Sequence, residues 1–303
     1  MLRSILIGLS HSEALRNFTM KNSIAKRASR RFVAGETLKE GIEAAKVLNS
    51  SGIEVTMDFL GENTKNKEEA IACAEEVIKI LKTMEEEKIP GNASVKLTQL
   101  GLDLGVDFCE EIVIKILEEA KKRNSFLRID MEGSPYTEIT LSLFYKLLEK
   151  YNNVGIVIQA YLYRSMEDVK RIIEKGGRIR LCKGAYKEPK TIAFPKKSQV
   201  DENFIKIMKV LLDSGIYHGI ATHDENMIKA TIDYAKEKNI SPEAFEFQML
   251  YGIRRDLQLK LVQEGWRMRV YLPYGTHWYP YFMRRLAERP ANLFFILKNL
   301  FRG

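Results

Sequence analysis

The sequence predicts an α/β fold, a closed (βα)8 barrel of the TIM type preceded by an N-terminal helical arm. Three observations carry this reading. Short apolar, β-branched segments recur eight times, and each is followed by a stretch with apolar residues at three- and four-residue spacing. The span from Ile53 to Leu300 matches the roughly 250 residues that eight such units need. An open doubly wound sheet would also alternate strand and helix, but neither of its phosphate loops, G-x-G-x-x-G or G-x-x-x-x-G-K-[ST], is present.

Residues 1–50 are read as the arm. Met1 to Gly35 is rich in Arg, Lys and Ser with Glu13 as its sole acid, a composition that resembles a transit peptide. Its apolar run Ile5–Leu9 is too short for a secretory core, and the basic pattern continues into an amphipathic stretch toward Leu48, so a structural helical arm is expected. No Pro/Gly/Ser-rich linker follows, so residues 51–303 are expected to form one barrel domain. Its strands are Ile53–Leu60, Ala93–Leu97, Leu127–Met131, Val154–Ala160, Arg178–Cys182, His218–Thr222, Phe245–Met249 and Arg267–Leu272. Its helices are Lys67–Lys88, Asp107–Lys122, Pro135–Tyr151, Ser165–Lys175, Val200–Ser214, Glu225–Lys238, Arg254–Glu264 and His277–Leu300. Strands separated by helices pair in parallel through right-handed crossovers.

An apolar fraction of 45% is ordinary for a globular protein, and no apolar run approaches the roughly 20 residues that span a bilayer. The formal charge of +8 admits nucleic acid, an anionic lipid surface or an acidic substrate as partner. Basic residues are spread along the chain rather than gathered in a stripe, so no nucleic-acid partner is expected. Cys73, Cys109 and Cys182 are odd in number and far apart, which fits a reducing cytoplasm. The segment Asn292–Phe301 is apolar enough to rest on the inner face of a membrane, although packing on the barrel is the expected fate.

In such barrels the chemistry sits at the carboxyl ends of the strands, and here those ends are polar in turn. They carry Asp58 and Glu62, Lys96, Asp130, Gln159, then Arg180, Lys183 and Tyr186, then Thr222, His223 and Asp224, then Gln248, and Tyr271. Buried charges are costly unless paired, so this series points to a ligand in the mouth. The last helix adds Arg284 and Arg285 with Glu288 one turn on; paired guanidinium forks match a small carboxylate, and Glu288 can steady them from the same face. With only four histidines, and neither His-x-His nor His-Glu-x-x-His, no metal site is expected.

The segments Asp-Phe-Leu-Gly-Glu62, Ser-Val-Lys96-Leu, Ile-Asp130-Met-Glu, Gln159-Ala-Tyr, Arg180-Leu-Cys-Lys-Gly-Ala-Tyr186, Ala-Thr222-His223-Asp and Tyr271-x-Pro-Tyr-Gly…Tyr281-x-x-Arg-Arg-x-x-Glu288 resemble proline dehydrogenase, in its short monofunctional bacterial form. The resemblance implies a distorted barrel holding FAD non-covalently, oxidation of L-proline to 1-pyrroline-5-carboxylate by hydride transfer to flavin N5, and electrons passed to quinone. It implies that Arg284 and Arg285 clamp the substrate carboxylate, steadied by Glu288, with Glu62 as a gate on Arg284. Lys96, Asp130, Tyr271 and Tyr186 would line the proline pocket, and Arg180 would approach flavin N5. Met131, Gln159, Lys183, Gly184, Ala185, Thr222 and His223 would hold the remaining FAD atoms. Asp224, where a neutral residue is also usual, and Cys182, where valine is more usual, depart from the pattern. The residues alone also fit a non-redox (βα)8 lyase or aldolase with Lys96 or Lys183 as Schiff-base nucleophile, or a basic binding protein.

Overall fold

The computed structural model describes Thr19 and residues 23–288. Two helices, α1 (Ser23–Ser29) and α2 (Leu38–Asn49), precede the barrel. Eight parallel strands then close in sequence order: β1 (Glu54–Phe59), β2 (Gly91–Val95), β3 (Leu127–Ile129), β4 (Val154–Gln159), β5 (Arg178–Cys182), β6 (His218–Ala221), β7 (Phe245–Leu250) and β8 (Met268–Tyr274). Closure runs from Glu54 opposite Arg269 to Phe59 opposite Tyr274. The helices that follow the strands are α3 (Lys67–Glu86), α4 (Val106–Lys122), α5 (Ser134–Leu148), α6 (Ser165–Glu174), α7 (Lys197–Asp213), α8 (Glu225–Glu237), α9 (Arg255–Gln263) and α10 (Trp278–Glu288). The expected eight strand–helix units are all present. The sequence pattern extended the last helix to Leu300, and the residues beyond Glu288, including the apolar Asn292–Phe301, lie outside the described set.

Local chemistry starts these helices where the sequence places them. Thr37 and Glu40 form a reciprocal capping box on α2. Asn66 caps α3 by accepting from the Glu69 N–H at 2.8 Å, and Asp224 caps α8 by accepting from the Asn226 N–H at 3.1 Å. The main core lies between strands and helices, where Ile80, Val113, Ile129 and Leu211 are fully buried.

The barrel interior is built differently. A branched aliphatic filling is usual in such barrels, but here charged side chains occupy the lower axis. Arg269 pairs with Glu246 at 2.8 Å and with Glu54 at 2.5 Å. Arg128 donates to the carbonyls of Ile156 at 3.2 Å and Arg178 at 2.9 Å. Gly155 makes room for it, since a Cβ there would come within 2.5 Å of the Arg128 Nη1.

The distortion of the barrel lies at its last unit. α2 packs on the outside of β1 and β8, while α10 packs against α1. Phe32 and Val33 share a second apolar cluster with Trp278, Phe282 and Leu286 of α10. Between α1 and α2 the chain pairs along the top of β8: Ala34 donates to the Pro273 carbonyl at 2.8 Å and Gly275 donates to the Gly35 carbonyl at 2.9 Å. The Trp278 Nε1 donates to Glu36 at 3.1 Å. α10 is thereby held where its arginines line the barrel mouth.

Candidate active site

A cavity of about 620 Å³ opens at the carboxyl ends of the strands. Lys96, Asp130 and Tyr271 line one part of it with Tyr186, Arg284 and Arg285. Met131, Gln159, Arg180 and the run Lys183–Gly184–Ala185 continue the wall, and Thr222 and His223 follow. Glu62 adds to this set through α10: it accepts from the Arg284 Nη2 at 2.6 Å. The side chain of Glu288 lies outside the described residues.

At the floor, six polar side chains are interlocked. Asp130 accepts from Arg180 at 2.9 Å, from the Tyr271 hydroxyl at 2.8 Å and from the Ser94 hydroxyl at 2.6 Å. The Lys96 ammonium donates to Asp58 at 3.1 Å and to the Tyr271 oxygen at 3.3 Å, and lies 3.7 Å from Asp130. Arg180 also stands 5.2 Å from the centre of the Tyr271 ring. Burial alone would raise the Asp130 carboxyl, but Arg180 and Lys96 outweigh it and hold the group below the usual carboxylate range. Asp58 is fully buried and is pushed up by that burial, against the pull of Lys96. Burial would lower Lys96, yet Asp58 and Asp130 raise it above the ordinary lysine value. Burial and the two aspartates push the Tyr271 hydroxyl far up.

An ammonium held so firmly is a poor Schiff-base nucleophile, which tells against the lyase alternative at Lys96. Lys183 is similarly engaged, 2.5 Å from Asp201 and 2.7 Å from Asp224. Asp224, one of the two departures from the family pattern, therefore has a partner here and caps α8 besides; these contacts hold its carboxyl down at about 2 although burial opposes them.

Some polar atoms in the wall are buried and make no hydrogen bond among the described residues: Nε and Nη2 of Arg180 and Oε1 of Gln159. On a cavity wall such buried donors and acceptors are available to a ligand. Sequence reasoning left Arg254 and Glu225 out of the site; both line the cavity, and their side chains pair at 2.7 Å. Arg254 reads in sequence as the first residue of a helix, yet its left-handed backbone (φ 52°) precedes α9, which directs it to the mouth. Among the described residues no group of three or more His, Cys, Asp or Glu side chains is placed to hold a metal ion, and no helix is long and apolar enough to cross a membrane.

The family profile "Proline dehydrogenase" matches residues 41–297. Proline dehydrogenase 1 of Bacillus subtilis strain 168 is 42% identical over 302 residues, covering 100% of both chains. The proline dehydrogenase of Deinococcus radiodurans is 40% identical over 282 residues, 90% of each chain. Among solved structures, proline utilization A from Bdellovibrio bacteriovorus inactivated by N-propargylglycine superposes with a TM-score of 0.82 at 27% identity, over 87% of this chain and 33% of that one. With a family profile spanning most of its length and full-length relatives above 40% identity, this chain belongs to the proline dehydrogenase family and oxidises proline.

Proposed function

We propose that the enzyme oxidises L-proline to 1-pyrroline-5-carboxylate with non-covalently bound FAD, and that electrons leave to quinone. The observation that carries this reading is the pairing, across one cavity, of the α10 arginines with the Lys96–Asp130–Tyr271 floor, with unpartnered polar atoms of Arg180 and Gln159 in the wall. Those atoms suit the polar edge of a flavin ring. Met131, Gln159, Arg180, Lys183–Ala185, Thr222 and His223 would hold the cofactor, and the bound flavin supplies the two-electron acceptor.

The chain's own residues do the rest. Arg284 and Arg285 grip the substrate carboxylate. Glu62 holds Arg284 from the β1 loop and so closes the mouth over the bound amino acid. Tyr271 presents its ring edge-fixed by the hydroxyl bond to Asp130, and Tyr186 stands beside it. The substrate amine must be neutral before its carbon is oxidised; Lys96, kept as an ammonium by Asp58 and Asp130, puts a positive charge in the wall that disfavours a second ammonium beside it. Arg180 places a fixed positive charge where negative charge develops on the acceptor.

The test is spectroscopic. The purified protein should show flavin absorbance that bleaches on anaerobic addition of proline, and acid precipitation should release all of the flavin into the supernatant. A colourless protein that borohydride traps with a keto acid would overturn the proposal in favour of a Schiff-base enzyme.

A further inference from the structure

We propose that Glu188 is a positioning residue for proline oxidation: its carboxylate fastens the loop after β5 to the loop after β3 and so sets Tyr186 over the substrate. Its Oε1 accepts from the Ser134 backbone N–H at 2.8 Å and its Oε2 from the Ser134 hydroxyl at 2.6 Å. The Tyr161 hydroxyl also reaches Oε1, at 3.4 Å. Ser134 opens α5, so the carboxylate meets the electropositive end of a helix as well as two donors.

The other side of the same loop is held by Tyr161. Its backbone N–H donates to the Lys183 carbonyl at 2.9 Å, and its carbonyl accepts from the Phe194 N–H at 2.8 Å. Gly184 (φ 112°) lies so close that a Cβ would come within 2.1 Å of the Tyr161 ring. The β5 loop is therefore gripped on one flank through its backbone and on the other through Glu188. Glu188 stands two residues beyond Tyr186, and Ser134 four beyond Asp130, so one carboxylate registers two loops that each bring a residue to the cavity. Without it, the loop is free to pivot on Tyr161, and Tyr186 moves off the pocket while the floor stays in place. The proposal rests on the assignment of Tyr186 and Asp130 to the proline pocket.

The experiment compares the FAD-loaded full chain with Glu188→Gln, Ser134→Ala and the double variant, using Arg285→Lys as reference, with flavin content and melting temperature recorded for each. Glu188→Gln should raise the proline KM about tenfold with kcat within about twofold, as expected for lost substrate positioning. Ser134→Ala should raise KM less, and the double variant should be no worse than Glu188→Gln alone, because both remove the same contact. If Glu188→Gln leaves KM within about twofold while Arg285→Lys raises it, the positioning role is wrong and the pocket assignment stands. If neither changes KM, both fall. A lower melting temperature and kcat at unchanged KM would make Glu188 merely structural and overturn the proposal. Should Glu188→Gln fail to fold, Ser134→Ala carries the same KM test, because it removes only a hydroxyl.

Discussion

The two arginines of α10 and the arginine of β5 sit in one cavity but are held by different neighbours, and this separates what each contributes. Arg285 is buried and its guanidinium stands 5.0 Å from the Tyr281 ring centre; its planar fork of donors is what lysine cannot reproduce. Arg285→Lys should therefore raise the proline KM by about 10-fold for each 1.4 kcal/mol lost, with flavin content normal and kcat reduced less than kcat/KM. Steady-state kinetics on both Arg284→Lys and Arg285→Lys check this; unchanged KM in both would move the carboxylate site elsewhere. Arg180→Ala should behave oppositely, lowering kcat or flavin retention first, because that guanidinium bonds Asp130 and not α10. Most residues that the structure brings to the cavity were legible in sequence because they close a strand, follow one closely or share a helical turn. Arg254 was not, because its direction is set by a left-handed backbone that no spacing reveals.

Between β5 and β6, one histidine ties element to element. His218 is buried; its Nδ1 accepts from the Ile179 N–H at 3.0 Å, and its Nε2 lies 3.0 Å from the Ser214 hydroxyl, an arrangement only the neutral ring satisfies. Burial, with Arg128 and Arg178 nearby, lowers its pKa from 6.5 to about 3. The unfolded chain takes up a proton below its own pKa of 6.5 while the folded chain does not, so stability falls as pH drops from there to about 3 and levels below. One such proton is worth about 1.4 kcal/mol per pH unit in that window. Urea titrations at pH 7, 6, 5 and 4 should show this loss, and His218→Gln should flatten it; an equal slope in both would remove His218 as the cause. Strand–helix alternation was readable from apolar periodicity, since the helices α3 to α9 bury an apolar stripe in the main core. The seat of α10 against α1 was not, because a helix pattern does not say which surface receives its apolar face.

At the scale of the whole barrel, the axis carries charge where branched aliphatics are usual. Arg128, Glu246 and Arg269 are single charged residues inside apolar segments; the register, which sets Gln248 of β7 against Arg269 of β8 and brings Glu246 within 2.8 Å of Arg269, makes partners of the last two. Such a pair is worth little against an apolar filling but much against its own half. Arg269→Met should cost about 3–5 kcal/mol, because Glu246 would remain buried without its main counter-charge, and adding Glu246→Gln should recover part of that loss. Equilibrium urea unfolding measures both, and a loss below about 1 kcal/mol for Arg269→Met would show that the floor tolerates an unpaired carboxylate.

The strap between α1 and α2 has a consequence for how the enzyme is made. Glu36 meets Trp278 across 242 positions of sequence, and Ala34 and Gly35 meet the end of β8. Residues that leave the ribosome early thus wait for residues that leave it late, and closing so long a loop is a costly, late step in folding. The two cavity-lining arginines lie on the helix that this meeting seats. A partly synthesised chain can begin stacking its strands, but its cavity lacks the α10 wall until the barrel has closed, so structural completion and a complete cavity arrive together.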